Sequence, residues 1–189
     1  MIDLESALLR RPFVFMRHGE TPMNARGLIC GATDVPLSSE GEEQARRAAW
    51  LGRYPWSCVA SSGMQRAQHT ARLAVGGHPV IALPGLNERH WGQLELAPLA
   101  EQTPYEVTPP GGESWAAFRQ RVLAALNSVL ECHEWPLFVA HSGVYRVIRE
   151  LQTGTPHGPR IENAQPILVK PHRSGWELTL CEENWLEHR

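Results

Sequence analysis

Three short apolar runs constrain the fold of this chain more than any other feature. They cover residues 13–16, 58–60 and 137–140, and a helix-compatible segment follows each of them. Short continuous apolar runs separated by helical patterns are typical of parallel strands that are buried on both faces and joined by crossover helices. The sequence therefore predicts an α/β fold, a three-layer α/β/α sandwich around a mostly parallel sheet.

Local signals for helices and turns support this prediction. Ser39 and Glu42 fit a capping box at the start of a helix, and apolar residues recur every three or four positions between 114 and 131. Near the end of the chain, the β-rich runs 167–169 and 176–180 flank a turn that contains glycine. We therefore expect a hairpin that adds an antiparallel edge to the sheet.

The segment from about 84 to 112 has a different character, because prolines interrupt any regular pattern. They are Pro84, Pro98, Pro104, Pro109 and Pro110. Loops of this length in compact domains usually carry function. We interpret the segment as a short cap within a single domain that spans residues 1–189, rather than as a domain boundary.

Charge and composition exclude several classes of function. The chain has 18 Lys and Arg against 20 Asp and Glu, a net charge of −2, and a nucleic-acid-binding protein would normally be strongly basic. No apolar stretch approaches the roughly 20 residues of a membrane span, and the N-terminus shows no secretory signal. The four cysteines form no C-x-x-C pair. We expect a cytoplasmic protein without nucleic-acid or membrane partners, and the sequence leaves its oligomeric state open.

Polar residues follow each of the three apolar runs directly. Arg17 and His18 follow the first, Ser61 and Ser62 with Arg66 follow the second, and His141 follows the third, as the printed sequence shows. In open α/β sheets, ligands bind beyond the carboxyl ends of the strands, so these groups should converge. Two guanidiniums held close together need an anionic partner, and a phosphate dianion matches their geometry. The sequence therefore predicts a site for a small-molecule phosphate monoester.

With these residues in place, the chain resembles the histidine phosphatase superfamily, also called phosphoglycerate-mutase-like. Four blocks carry the resemblance in the family's order: Arg-His-Gly-Glu-Thr at 17–21 with Asn24, Ser-Ser at 61–62 with Arg-Ala at 66–67 and Thr-Ala at 70–71, Leu-Asn-Glu at 86–88 before Gly92, and Ala-His-Ser-Gly at 140–143. They span about residues 12–150. The resemblance implies a phosphoglycerate-mutase-like fold and chemistry on phosphate esters.

The resemblance also implies a role for each site residue. His18 would be the nucleophile that forms a phosphohistidine, Arg17, Arg66 and His141 would hold the phosphoryl oxygens, and Glu88 would be the acid and base. A neutral imidazole is nucleophilic near pH 7, and nearby cations stabilise the charge of the transferring group as a metal ion does elsewhere. We therefore expect no metal and no cofactor.

Further contacts follow from the same resemblance. Asn24 aligns with an Asn near the phosphate, and Cys30 and Gly31 align with a pair that contacts substrate. Ser142 stands where the family more often has Gly, so either its hydroxyl or its backbone N–H would meet the phosphate. Glu88 needs a raised pKa to act as an acid, although the arginines would lower it. It must therefore be shielded from them or lie close to the substrate's charge.

Three functions remain open at this point: a phosphatase, a phosphoglycerate mutase, or a non-catalytic phosphate-binding protein of the same fold. Mutases of the family carry a longer insert with an Arg pair, whereas Arg89 is the one Lys or Arg between Glu88 and Gly112. This difference favours hydrolysis.

The composition of the cap bears on the substrate. Glu95, Glu101 and Glu106 make the segment acidic, which disfavours polyanionic substrates and favours phosphate esters of neutral or partly apolar alcohols. Trp91 follows Glu88 by three positions, and it either forms a wall of the pocket or contributes ordinary packing.

Overall fold

A computed structural model describes residues 7–185 of the chain. The described part contains six strands and five α-helices, with short 3₁₀ helices at Ala49–Arg53, Pro84–Leu86, Gly92–Leu94 and Leu99–Glu101. In chain order the elements are β1 (Phe13–Arg17), α1 (Pro22–Ala25), α2 (Ser39–Arg47), β2 (Val59–Ser62), α3 (Gln65–Val75), β3 (Val80–Leu83), α4 (Trp115–Leu130), β4 (Leu137–Ala140), α5 (Ser142–Thr153), β5 (Pro166–His172) and β6 (Gly175–Leu180).

The six strands form one mixed sheet in the order β3-β2-β4-β1-β5-β6. Strands β3, β2, β4 and β1 are mutually parallel, while β5 runs antiparallel to β1 and pairs with β6 as a hairpin. The three predicted strands are β1, β2 and β4, and the predicted antiparallel edge is confirmed. Strand β2 extends to Ser62, two residues beyond the predicted run, and the parallel edge strand β3 was not predicted.

Alternate residues of the central strands enter two separate cores. Phe13 and Phe15 of β1 pack with the apolar faces of α4 and α5, and Val14 and Met16 pack on the opposite face with α3 and Leu51 of the first 3₁₀ helix. Strands buried on both faces account for the continuous apolar runs in the sequence. The α/β/α fold is therefore confirmed. No helix within residues 7–185 is long and apolar enough to cross a membrane.

The predicted start of α2 is wrong by one residue. Ser38 is the N-cap: its Oγ accepts a hydrogen bond of 3.1 Å from Gly41 N–H, so Ser39 is the first helical residue. Two consecutive serines precede the helix, and either can satisfy an N-terminal N–H group. The start of α4 agrees with the prediction, since Ser114 Oγ accepts from Ala117 N–H at 3.1 Å.

The cap is irregular, as predicted, and it is held against a loop near the N-terminus. Ile29 N–H donates to Ala97 O at 2.8 Å, and Leu96 N–H donates to Ile29 O at 2.8 Å. An isolated β-bridge joins Leu28 and Pro98. These backbone bonds fix the 27–33 loop beside the cap, so the two segments form adjoining walls of one cavity.

Candidate active site

The carboxyl ends of the three central parallel strands bring the predicted residues together. His18 follows β1, Arg66 lies in the first turn of α3 after β2, and His141 is the N-cap of α5 after β4. The ring centroids of His18 and His141 are 5.1 Å apart. His18 is 4% exposed, and Arg66 and His141 are fully buried. These three groups, with Arg17 at the end of β1, form the floor of the site.

His18 is positioned with one ring nitrogen free for chemistry. Its Nδ1 lies 2.6 Å from Gly19 O, and because a carbonyl oxygen only accepts, Nδ1 carries the ring proton in the neutral form. The lone pair is then on Nε2. Burial, together with the positive charges of Arg66 and Arg17, lowers the pKa of His18 well below its ordinary value. The imidazole is therefore neutral at pH 7.

The cationic residues of the floor keep buried donor atoms that no described residue engages. Arg66 NH1 and NH2 donate to Thr33 O at 2.9 Å and Gly31 O at 2.8 Å, and Arg17 NH1 donates to Ile161 O at 2.9 Å. Within residues 7–185, Nε of both arginines is buried without a hydrogen-bond partner. Such donors, at the end of three strands, suit the oxygens of an anion.

His141 is oriented by a strand-end serine. Its Nε2 lies 2.7 Å from Ser62 Oγ, which also accepts from Met64 N–H at 3.2 Å. When Ser62 donates its proton to Nε2, the ring proton lies on Nδ1, which has no partner in the described part of the chain. Burial, followed by the charges of Arg66, His18, Arg17 and Arg121, lowers the pKa of His141 well below its ordinary value.

Glu88 reaches the floor from the cap. Its Oε2 accepts from Gly143 N–H at 3.0 Å and its Oε1 accepts from Arg89 N–H at 2.8 Å, and the residue is 8% exposed. Burial raises the pKa of Glu88, even though these hydrogen bonds and the charges of Arg66 and Arg17 oppose the shift. Of the two conditions left open by the sequence, shielding from the arginines is not met, because Arg66 and Arg17 still lower the pKa of Glu88. Closeness to the substrate's charge stays a prediction, and burial of the carboxyl itself is what raises the pKa.

Arg121, which sequence reasoning missed, holds the segment that carries Glu88. Its guanidinium donates to Gly85 O at 2.9 Å, Asn87 O at 2.7 Å and Glu88 O at 3.1 Å, and it pairs with Glu113 at 2.7 Å. The partners are mainly backbone carbonyls distant in the chain, so no local sequence signal could have identified them. Arg121, in α4, therefore holds the backbone of residues 85–88 in place and so positions the Glu88 side chain.

The remaining predicted contacts fall into two groups. Asn24, Cys30 and Ser142 line the cavity above His18. Asn24 also closes a capping box with Thr21, and burial raises the pKa of the Cys30 thiol. Gly31, in contrast, is not among the lining residues, and its carbonyl oxygen instead accepts from Arg66.

The walls of the cavity combine aromatic, aliphatic and cationic side chains. Trp91 is a wall residue, and further lining comes from Leu28, Ile29, Leu99, Gln102, Tyr105, Trp115, Arg89 and Arg160. Glu88 is the one carboxylate that lines the cavity among the described residues. Glu95 is bound to backbone N–H groups and Glu106 pairs with His157. None of the three acidic cap residues, Glu95, Glu101 and Glu106, lines the cavity. The substrate preference inferred from them therefore loses its structural basis and stays a prediction.

Comparison with known proteins agrees with this geometry. The family model described as the histidine phosphatase superfamily, branch 1, matches residues 13–184. The adenosylcobalamin/alpha-ribazole phosphatase of Salmonella typhimurium is 33% identical in an alignment that covers 70% of this chain and 75% of that protein. The 2,3-bisphosphoglycerate-dependent phosphoglycerate mutase of Azorhizobium caulinodans is 30% identical in an alignment that covers 92% of this chain and 97% of that protein.

Solved structures give the same result. The crystal structure of the alpha-ribazole phosphatase from Shigella flexneri superimposes with a TM-score of 0.74 at 28% identity, over 89% of this chain and 95% of that one. The family match covers most of the chain, and the strand-end residues of β1, β2 and β4 meet at one edge of the sheet, as the sequence predicted. The chain belongs to the histidine phosphatase superfamily.

Proposed function

We propose that the protein is a metal-independent phosphomonoesterase that hydrolyses a small phosphate ester through a phosphohistidine at His18. One observation carries the proposal: a neutral, buried imidazole with a free Nε2 lies among two arginines and a carboxyl group of raised pKa. This combination supplies a nucleophile, charge stabilisation and a proton donor within one cavity. The catalytic residues are His18, Glu88, Arg17, Arg66 and His141.

The first step transfers the phosphoryl group to the enzyme. The Nε2 lone pair of His18 forms a bond to phosphorus, and the bond from phosphorus to the ester oxygen breaks with its electron pair on that oxygen. Protonated Glu88 gives its proton to the leaving oxygen. Arg17 and Arg66 stabilise the equatorial oxygens, and the Nδ1–H of His141 donates to one of them.

The second step returns the enzyme to its starting state. A water oxygen attacks phosphorus, the Nε2–phosphorus bond breaks, and its electron pair returns to Nε2 of His18. The Glu88 carboxylate, left by the first step, accepts the proton of the water. Orthophosphate then leaves, and Glu88 is again protonated. Because the two steps need the acid and base forms of one carboxyl group in turn, a raised pKa suits Glu88 to both.

The direct test is hydrolysis of p-nitrophenyl phosphate in excess EDTA. We expect the wild-type protein to release phosphate in EDTA and His18→Ala to lose at least about 1,000-fold in rate, since the nucleophile is removed. His78→Ala is the matched control, because His78 is half-buried and bonded to Gly52 O outside the site. Equal release by wild type and His18→Ala would overturn the mechanism, and abolition by EDTA would overturn metal independence.

Two further assays define the reaction and the substrate. Brief incubation with ³²P-labelled ester should trap a phosphoenzyme that is labile to acid and stable to alkali, as expected for a nitrogen–phosphorus bond. Interconversion of 3- and 2-phosphoglycerate faster than phosphate release would favour a mutase instead.

Alpha-ribazole phosphate is the first candidate substrate to test. Relatives that are named as phosphatases of this compound align with most of this chain. In addition, Trp91, Tyr105 and Trp115 line the cavity and can contact an aromatic group of a substrate.

A further inference from the structure

Glu95 does not line the cavity, but its carboxylate accepts hydrogen bonds from two separate segments of the chain. Oε1 accepts from Ala32 N–H at 2.7 Å and from Trp91 N–H at 3.1 Å. Oε2 accepts from Gly31 N–H at 3.1 Å and from the Thr33 hydroxyl at 2.9 Å. One side chain therefore joins the 31–33 loop to the segment that carries Glu88 and Trp91.

The same loop holds the buried arginine of the floor. The N–H groups of Gly31 and Thr33 face Glu95, while their carbonyl oxygens accept from Arg66 NH2 at 2.8 Å and NH1 at 2.9 Å. These two carbonyls are the hydrogen-bond partners of the terminal Arg66 nitrogens within the described residues. The orientation of the Arg66 guanidinium is thus set by where this loop lies.

The loop has little freedom to lie anywhere else. A Cβ added at Gly31 would be 2.1 Å from Arg89 O and 2.5 Å from Glu95 Oε1, so the loop backbone is seated directly on the cap segment. Burial alone would raise the pKa of Glu95, but hydrogen bonds from Trp91, Ala32, Gly31 and Thr33 lower it below its ordinary value. The charged form is therefore the one that holds the loop at neutral pH.

We propose that Glu95 is a positioning residue, which fixes the 31–33 loop against the cap and thereby aims Arg66 at the phosphoryl group. The inference rests on the proposed function, since it assigns Arg66 to transition-state stabilisation. Arg66 is fully buried, and a small displacement of such a group from the transferring oxygens has a large effect on rate. Glu95 acts through Arg66 and does not touch the substrate.

The test is a double-mutant cycle with Glu95→Gln and Arg66→Lys, measured with p-nitrophenyl phosphate. Glutamine has the size of glutamate but places an NH2 group where an oxygen accepts, so it breaks at least one contact to the loop. We expect kcat/KM to fall about 10- to 100-fold in Glu95→Gln, and inhibition by orthophosphate to weaken in parallel. In the Arg66→Lys background the same change should cost less than about twofold, because lysine cannot engage both carbonyls.

The controls separate positioning from folding and from the reaction itself. Glu101→Gln is the matched control, as Glu101 is an exposed carboxylate of the same cap, and it should leave kcat/KM unchanged. If thermal unfolding shows that Glu95→Gln does not fold, Thr33→Val removes one donor to Glu95 and should show the same dependence on Arg66 with a smaller loss. Equal fold losses in both backgrounds, or no loss, would overturn the proposal. Absence of hydrolysis by the wild-type protein would instead overturn the proposed function on which it rests.

Discussion

The floor and the walls of the cavity are built from different kinds of chain segment. Arg17, His18, Arg66 and His141 lie at the ends of buried parallel strands or within the first turn after them. The wall residues come from the cap, from the start of α4, from the 27–33 loop and from the loop after α5. Strands at the centre of a sheet are fixed by pairing on both sides, whereas loops are positioned by individual side chains.

This difference suggests a division of roles in the proposed reaction, in which the floor carries out phosphoryl transfer and the walls determine which substrate is bound. In the proposed reaction, the floor would supply a nucleophile and the donors for a phosphoryl group, which are needed for any ester. The walls would contact the alcohol part, where substrates differ, so they could vary without loss of the reaction. Glu88 is the exception, because it belongs to the cap by sequence and to the floor by its hydrogen bond with Gly143.

Glu88→Gln is the substitution that tests this exception most strongly. For an ester of an ordinary alcohol, such as glycerol 2-phosphate, we expect kcat/KM to fall about 100- to 10,000-fold, since the leaving oxygen no longer receives a proton. For p-nitrophenyl phosphate the loss in kcat/KM should be less than about tenfold, because that leaving group is stable as an anion. The measurement is kcat/KM of the wild-type protein and of Glu88→Gln with each ester, and the loss should be larger for glycerol 2-phosphate.

The pH profile checks the same assignment. In the proposed mechanism the protonated form of Glu88 is active in the first step. We therefore expect its raised pKa to keep kcat/KM high to a higher pH, and activity toward glycerol 2-phosphate to fall as pH rises through that pKa. The same mechanism needs neutral His18, so we expect its lowered pKa to extend activity toward lower pH. Glu88→Gln should lose the decline with rising pH that we expect of the wild-type protein. Equal losses on both esters would contradict the role of Glu88 as an acid.

The floor was predictable from sequence, because strand ends are local features. The apolar runs at 13–16 and 137–140 end where β1 and β4 nearly end, and the residues just after them are His18 and His141. The topology of parallel strands then brings them to one edge. Strand β3 was missed because it lies at the edge of the sheet, where Ile81 is 44% exposed and no continuous buried run forms.

Gly143→Ala tests the contact that joins the two regions, and we expect a smaller effect than that of Glu88→Gln. A Cβ at this position would lie 2.1 Å from Glu88 Oε1 and 3.1 Å from Phe118 Cζ, so the carboxyl group must move. We expect about a 10- to 100-fold loss of kcat/KM with glycerol 2-phosphate and a much smaller loss with p-nitrophenyl phosphate. The same assays measure both values.

A matched glycine gives the control for that substitution. Gly77 has open space around its position and should accept alanine without change in either activity. Thermal unfolding of both variants shows whether the added methyl group destabilises the protein. A loss of equal size on the two esters would show that Gly143→Ala disturbs the floor rather than Glu88. The roles assigned to the floor and to the cap could then not be separated at Gly143.

The walls were predictable only in part, because their contacts join distant segments. The prolines indicate an irregular cap, and the sequence leaves Trp91 either as a wall residue or as ordinary packing, of which the structure shows the first. The hydrogen bonds of Arg121 and Glu95 run to backbone groups more than 30 residues away or across separate loops, so residue type and spacing give no signal for them. Counting acidic residues in the cap was misleading, since it ignored where each carboxylate is bound.

Arg160 gives the smallest and most selective expected effect. It lines the cavity, is exposed, and makes no hydrogen bond or ion pair with another residue in the range 7–185. Its loop is nevertheless fixed: Arg146 donates to Gly158 O at 2.7 Å, Arg17 donates to Ile161 O at 2.9 Å, and Asn163 donates to His18 O at 2.9 Å. A cation held beside the floor without a protein partner is suited to an anionic group on the alcohol part of a substrate.

Arg160→Gln should therefore change which substrates the protein prefers without changing the rate of the chemical step. We expect KM for 3-carboxyphenyl phosphate to rise by about tenfold or less, with KM for the uncharged 3-carbamoylphenyl phosphate unchanged, because an exposed ion pair contributes modestly. Arg72→Gln, on the exposed side of α3, is the control. If both esters change equally, Arg160 acts on the phosphoryl group that they share and belongs to the floor with Arg17. If only the charged ester changes, Arg160 acts on the alcohol part of the substrate, and a loop distant in sequence from the cap contributes to the choice of substrate.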